Sequence, residues 1–202
     1  MSSLAERIPT KISAPRPEAT LVESALPFSS WESFYVIIGS SGAALTGLNF
    51  VVIALSAETR AITPTPGLIN TYETPTIVHF CAVLLVSALM SAPWHTVGPV
   101  RLGFGASGLA GILYSLVILR RVTRQEGYQP ELEDWIWRGI LPLLAYGAIL
   151  VAGIVLEEHI DTALFIVAGS TLLLLYVGIH NAWDTVTWMV FKRQGDSADR
   201  AG

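Results

Sequence analysis

His180 and Asp184 stand four residues apart in the last apolar stretch of the chain. At 3.6 residues per turn both fall on one helical face, where the carboxylate can accept the imidazole N–H. His79 lies in an earlier stretch that runs in the opposite direction, at matching depth. Asn49, Tyr114, Arg138 and Asn181 bring further polar groups to that level, with Ser115 beside them. Ionisable groups inside a membrane segment are costly, and they face a cavity or one another. The cluster Asn49, His79, Tyr114, Arg138, His180, Asn181 and Asp184 is therefore the candidate site, and its chemistry would be proton exchange or the holding of a small solute. A blander reading leaves His180, Asn181 and Asp184 among the headgroups beside Trp183.

A second polar group, Glu32, His95, Glu157, Glu158, His159 and Asp161, belongs to the opposite end of the same segments. Carboxylates with imidazoles can bind a divalent cation, but the spacing matches no ligand pattern, so no metal site and no cofactor are expected. Gly103, Gly105 and Gly108 spell GFGASG, which fits the dinucleotide fingerprint GxGxxG. That fingerprint needs a strand before it and a βαβ unit around it. Here it follows a turn and enters an apolar segment, so the glycines read as packing positions. No serine sits in a GxSxG context, and no HExxH occurs. Without a nucleophile, base and orienter, an enzyme is the least supported class.

The elements that must position these groups are five apolar segments, 34–55, 76–92, 102–119, 135–156 and 163–191. A hydrocarbon core about 30 Å thick needs roughly 20 apolar residues as helix, so the fold expected is all-α, a polytopic bundle of five transmembrane helices. Charged residues are 14% of the chain, against about a quarter in soluble proteins, and they are confined to the gaps. Residues 1–33 and 192–202 read as flexible tails. The positive charges form no basic face, so nucleic acid is not an expected partner. The bilayer is. Cys81 is the only cysteine and permits no internal disulfide.

Tryptophan placement supports the same count of spans. Trp31, Trp94, Trp135, Trp137, Trp183 and Trp188 all fall at proposed helix ends, where an indole keeps its ring in the acyl boundary and its N–H near water. Lys and Arg divide four against eight. Arg7, Lys11, Arg16 and Arg101 fall on the side of the N-terminus; Arg60, Arg120, Arg121, Arg124, Arg138, Lys192, Arg193 and Arg200 fall on the other. The positive-inside rule then puts the N-terminus outside and the C-terminus inside.

Small residues mark helix contacts. Gly39, Gly42, Ala43 and Thr46 recur at steps of three and four in the first segment, and Gly103, Ser107 and Gly111 do so in the third. Lipid tails are as apolar as Leu, so association depends on the close approach that small faces allow. The faces could meet inside one chain or between copies. Pro130 is a suitable first residue for the fourth helix, Asp134 and Arg138 can pair across one turn, and Pro142 should bend that helix. Asp161 is a candidate N-cap for the fifth.

The segment WESFYVIIGSSGAALTGLNFVVIAL, Trp31 to Leu55, resembles the opening of an uncharacterised family of small multi-span bacterial inner-membrane proteins. The resemblance implies a bacterial inner-membrane location and no activity. Two roles remain as expectations: a non-enzymatic packing or assembly component that associates with itself or with membrane-complex subunits, and a small oligomeric channel or proton-coupled transporter using the polar cluster.

Overall fold

The computed structural model describes residues 27–58, 74–122 and 132–199, and within them all regular structure is helical. A 3₁₀ turn, Pro27–Trp31, leads into α1, Glu32–Glu58. Then come α2, Thr74–Ser91, and α3, Val97–Val122. Helix α4 begins as Leu132–Trp135, widens into a π turn at Ile136–Ile140 and resumes as Leu141–Val155; α5 is Ile160–Asp199. Among the described residues five helices are long and apolar enough to cross a membrane. The shortest, α2, has 18 residues, about 27 Å at 1.5 Å per residue.

Several boundaries differ from the sequence expectation, each for a local reason. The N-terminal tail was expected to reach residue 33, but 27–33 are structured: Ser30 Oγ donates to the Pro27 carbonyl at 2.7 Å, Phe28 is buried, and Trp31 meets Phe165 edge-on at 4.8 Å. The expected flexible end from residue 192 is helical as far as Asp199. Lys192, Arg193 and Gln194 are good helix formers, and extending an existing helix needs only one hydrogen bond per residue fixed. Helix α5 also starts before residue 163. The Ala163 N–H donates to the His159 carbonyl at 2.9 Å, so Asp161 lies in the first turn rather than at the cap, where its charge still complements the helix dipole. Pro130 lies outside the described residues, as does the side chain of Asp134 expected to pair with Arg138.

Pro142 carries no N–H and its ring crowds the preceding turn, so an undisturbed α-helix cannot pass through it. The chain answers with the π turn, in which the Leu141 N–H reaches back five residues to the Ile136 carbonyl. Such a bulge bends a helix without ending it.

Helices α2, α3, α4 and α5 form a square, each packed on the next, with α1 outside it against α2 and, more lightly, α5. The glycines set the approach of α3 to α4. A Cβ on Gly153 would stand 2.8 Å from the Gly105 backbone N, and one on Gly108 would stand 2.6 Å from the Leu150 backbone N. One turn on, Gly111 lies flat against the Tyr146 ring. The GxGxxG glycines are thus helical contact positions. Gly39 and Gly42 face Ser87 and Val83 of α2, and Gly103 faces Leu89. Thr46 folds its hydroxyl back onto the Gly42 carbonyl at 2.8 Å, Ser107 is half-buried, and Ala43 is exposed. The two small faces therefore do not meet each other; the first serves α2, and the second serves α2 through Gly103 and α4 through Gly111.

Apolar side chains cover both inside and outside. Phe80, Phe104, Ile149, Leu164, Val167 and Leu174 fill the interior, while Ile37, Leu102, Leu144, Ile154 and Phe165 are each more than half exposed. A surface like this is suited to lipid.

Candidate functional site

His79 is the centre of the square. It projects from the second turn of α2, is 2% exposed, and its Nδ1 lies 3.0 Å from Tyr146 Oη on α4. Because α2 and α4 occupy opposite corners, this bond braces the diagonal. Tyr146 is held from behind by Gly111, the one residue type that leaves room for its ring. Phe80, next to His79, is in turn seated on Gly178 of α5.

One helical turn from this brace, toward the end where α4 begins, every corner of the square changes character. On α2, Thr76 precedes His79 by three residues; on α3, Ser115 follows Gly111 by four; on α5, Asn181 follows Gly178 by three; on α4, Pro142 precedes Tyr146 by four. Antiparallel neighbours bring these positions to one level. Thr76, Ser115 and Asn181 are 1%, 3% and 2% exposed, and Thr76 Oγ1, Ser115 Oγ and Asn181 Oδ1 are enclosed with no hydrogen-bond partner in the described structure. Ser87 Oγ and Tyr35 Oη, on α2 and α1, are also enclosed without partners, but the contrast with most other helical hydroxyls is informative. Ser41, Thr46, Ser170, Thr171 and Thr185 each donate to the carbonyl four residues back, at 2.7 to 2.9 Å. That exchange is the ordinary refuge of a hydroxyl in an apolar helix. Thr76, at the third position of α2, has no helical carbonyl behind it, and Ser115 leaves the one behind it unused.

Beyond this layer, at the rim, lies the His180 group. The imidazole stacks on the Trp137 indole, centroids 3.8 Å apart and planes 6° from parallel. Its Nδ1 is 3.4 Å from Asp184 Oδ2 and its Nε2 is 3.7 Å from Glu133 Oε1. Both distances are long for hydrogen bonds and short for ion pairing. Trp137 also meets Tyr176, one turn before His180, at 5.6 Å. Glu133 and Trp137 flank the entry of the π turn, and Asp184 is half-exposed, so carboxylates face the rim from both α4 and α5.

The sequence-derived cluster is thus divided. His79 and Asn181 belong to the square's interior, and His180 with Asp184 to the rim. Tyr114 Oη is enclosed without a partner on α3, Arg138 is half-buried in the π turn, and Asn49 lies on α1, outside the square. No hydrogen bond joins His79 to His180; one turns to Tyr146 and the other to Trp137. Four members of the site were not in the expected cluster: Thr76, Tyr146, Glu133 and Trp137. The last two were available as an i, i+4 pair facing the i, i+4 pair of Tyr176 and His180. At the other end of the square Arg101 Nη1 and Glu157 Oε2 pair at 2.7 Å. Among the described residues no group of three or more His, Cys, Asp or Glu is placed to hold a metal ion.

Among the described residues these features define an all-helical membrane protein with five helices long and apolar enough to cross the bilayer, four of which enclose buried polar side chains. Comparison with protein-family models, curated proteins and solved structures gave no match.

Proposed function

We propose that the chain is a non-enzymatic membrane protein that admits a small polar species into its helical square from the rim where α4 begins, as a carrier or channel. The observation behind this reading is the layer of buried, unpartnered oxygens on α2, α3 and α5. An unsatisfied polar group in an apolar medium costs about 1–3 kcal/mol, and three at one level are a large concession unless something polar enters. The assembly role is the less supported of the two expectations, because Gly39, Gly42, Gly103 and Gly111 are already engaged within the chain. A closed ring of several copies is not required, since one chain surrounds the layer.

The test is uptake of protons or small cations by proteoliposomes carrying the parent, His180→Ala, Asp184→Asn or Glu158→Gln. Uptake that falls in the first two variants and persists in the third supports the reading. Equal silence in all four returns the role to membrane assembly.

The excess of Lys and Arg on one side supports an outside N-terminus, an inside C-terminus and, with the resemblance of the first span, a bacterial inner membrane. In a Cys81→Ala background, cysteines at Ser2 and Ala201 should label from opposite sides, the first from outside. Labelling from one side would exclude an odd number of spans.

A further inference from the structure

The polar layer also has a chemical bias: its free atoms are oxygens. Thr76 and Ser115 offer hydroxyls, and Asn181 offers an amide oxygen. The imidazole of His79 is already committed through Nδ1 to Tyr146. Hydroxyl and amide oxygens without a thiolate or free imidazole are the donor set of hard cations. Among the described residues no carboxylate is buried in the layer, so a divalent ion would sit there with its charge uncompensated, whereas a single charge asks far less of neutral ligands. An anion could accept from the two hydroxyls, but it would have to pass the carboxylates of Glu133 and Asp184 at the rim. Those same carboxylates favour entry of a cation by raising its local concentration. The neighbouring π turn adds a place where helical backbone is interrupted beside the pocket, the setting in which membrane transporters hold alkali ions through backbone and side-chain oxygens. Arg120 and Arg121, at the same end of α3, are exposed.

Resting on the reading of this layer as a ligand site, we propose that Thr76, Ser115 and Asn181 form a binding site for a monovalent alkali cation, reached from the rim between Glu133 and Asp184. The ion would give the two hydroxyls and the amide the partner that their own helices do not supply.

Thermal unfolding of the purified full chain in detergent tests this directly, with choline chloride replaced by LiCl, NaCl or KCl at fixed ionic strength. A ligand that binds only the folded state raises the melting temperature in a saturable manner. One alkali ion should do so, and Ser115→Ala and Asn181→Leu should each weaken the apparent affinity by about tenfold or more. Ser115→Ala removes one oxygen from a helix that should otherwise fold as before, so its result is readable even where Asn181→Leu lowers expression. Four superimposed salt series in the parent, or a shift that persists unchanged in Ser115→Ala, overturn the cation. Proton uptake by the same variants in proteoliposomes separates the two levels of inference: altered uptake without an alkali response leaves the polar site standing for another ligand, and silence in both measurements removes site and cation together.

Discussion

Replacing Gly108 by Ala separates a helix contact from every other property of a glycine. The added methyl would lie 2.6 Å from the Leu150 backbone N and 2.8 Å from its Cα and Cβ. Ordinary van der Waals contact starts near 3.4 Å, so α3 and α4 must part locally by about 0.8 Å, the difference between 3.4 and 2.6 Å. A side chain could turn aside; backbone cannot. The seam runs without a break from Gly105 and Gly153 to Gly111 and Tyr146, so parting it also loosens the support of the His79 brace. Overpacking of this kind costs ~1–3 kcal/mol. Alanine is the better helix former by about 1 kcal/mol, which partly offsets that cost. Gly105→Ala supplies the reference, because a Cβ there meets nothing within 4 Å and the propensity gain cancels in the difference. Scaled as for soluble domains of this length, the two variants should differ in melting temperature by roughly 2–12 °C, Gly108→Ala being the lower. The assay is thermal unfolding of both in one detergent, read by circular dichroism and by recovery of the monodisperse peak. Coincident melting would refute the close approach of α3 and α4.

Three other contacts give distinct expectations. Gly42→Leu sets a branched side chain where Val83 Cγ1 would be 3.2 Å and the Phe80 carbonyl 3.3 Å from its Cβ, and should cost ~1–3 kcal/mol; Val51→Leu on the exposed face should be mild, and equal melting of the two would count against the α1 contact. Tyr146→Phe strands the buried His79 Nδ1 and should cost about 1–3 kcal/mol, whereas the double change Tyr146→Phe with His79→Phe should recover part of it, because removing both partners is gentler than removing one. No recovery in that cycle would mean that ring packing, not the hydrogen bond, holds the diagonal. Glu157→Gln breaks a pair whose side chains are 46% and 54% exposed, so a loss below about 1 kcal/mol is expected, shrinking further in high salt; a larger, salt-independent loss would show the pair to be structurally essential.

The number of long apolar helices was legible in the sequence because it depends on a one-dimensional quantity, the length of apolar runs. Partner choice was not. The first and third segments carry small faces of the same kind, yet Gly42 meets α2 and Gly111 meets α4, since a small face says that a helix approaches and not which one. Tyr146 escaped notice because a lone tyrosine in an apolar run has no periodic signal; its role appears only when His79 is found across the square. Pro142 announced a bend, but the π turn that absorbs it depends on how α4 packs. The helical 27–33 and 192–199 were read as tails because hydropathy marks where a membrane ends, and a helix can continue past that point.

The unpartnered hydroxyl and amide oxygens inside the square lie at one end, while the other end carries the Arg101–Glu157 pair and Thr171 is bonded to its own helix, and this asymmetry constrains any mechanism. Past the His79 and Tyr146 brace the interior closes on Val83, Phe104, Ile149, Leu164 and Val167, all essentially inaccessible. A species that enters beside His180 therefore meets hydroxyls and an amide for one turn, then the brace, then hydrocarbon side chains. On the proposed reading, binding requires no motion beyond the rim, but passage requires the brace to open and the apolar contacts beyond it, which on α5 run about four turns from Gly178 to Leu164, to part. Such motion would begin at the π turn, which changes the backbone ladder of α4 and ends six residues before Tyr146. The proposed transport role therefore predicts that a variant that breaks the His79 bond, such as Tyr146→Phe, alters flux more than it alters binding at Thr76, Ser115 and Asn181. The opposite pattern, with binding abolished and flux intact, would place the path outside the square and disconnect the polar layer from transport.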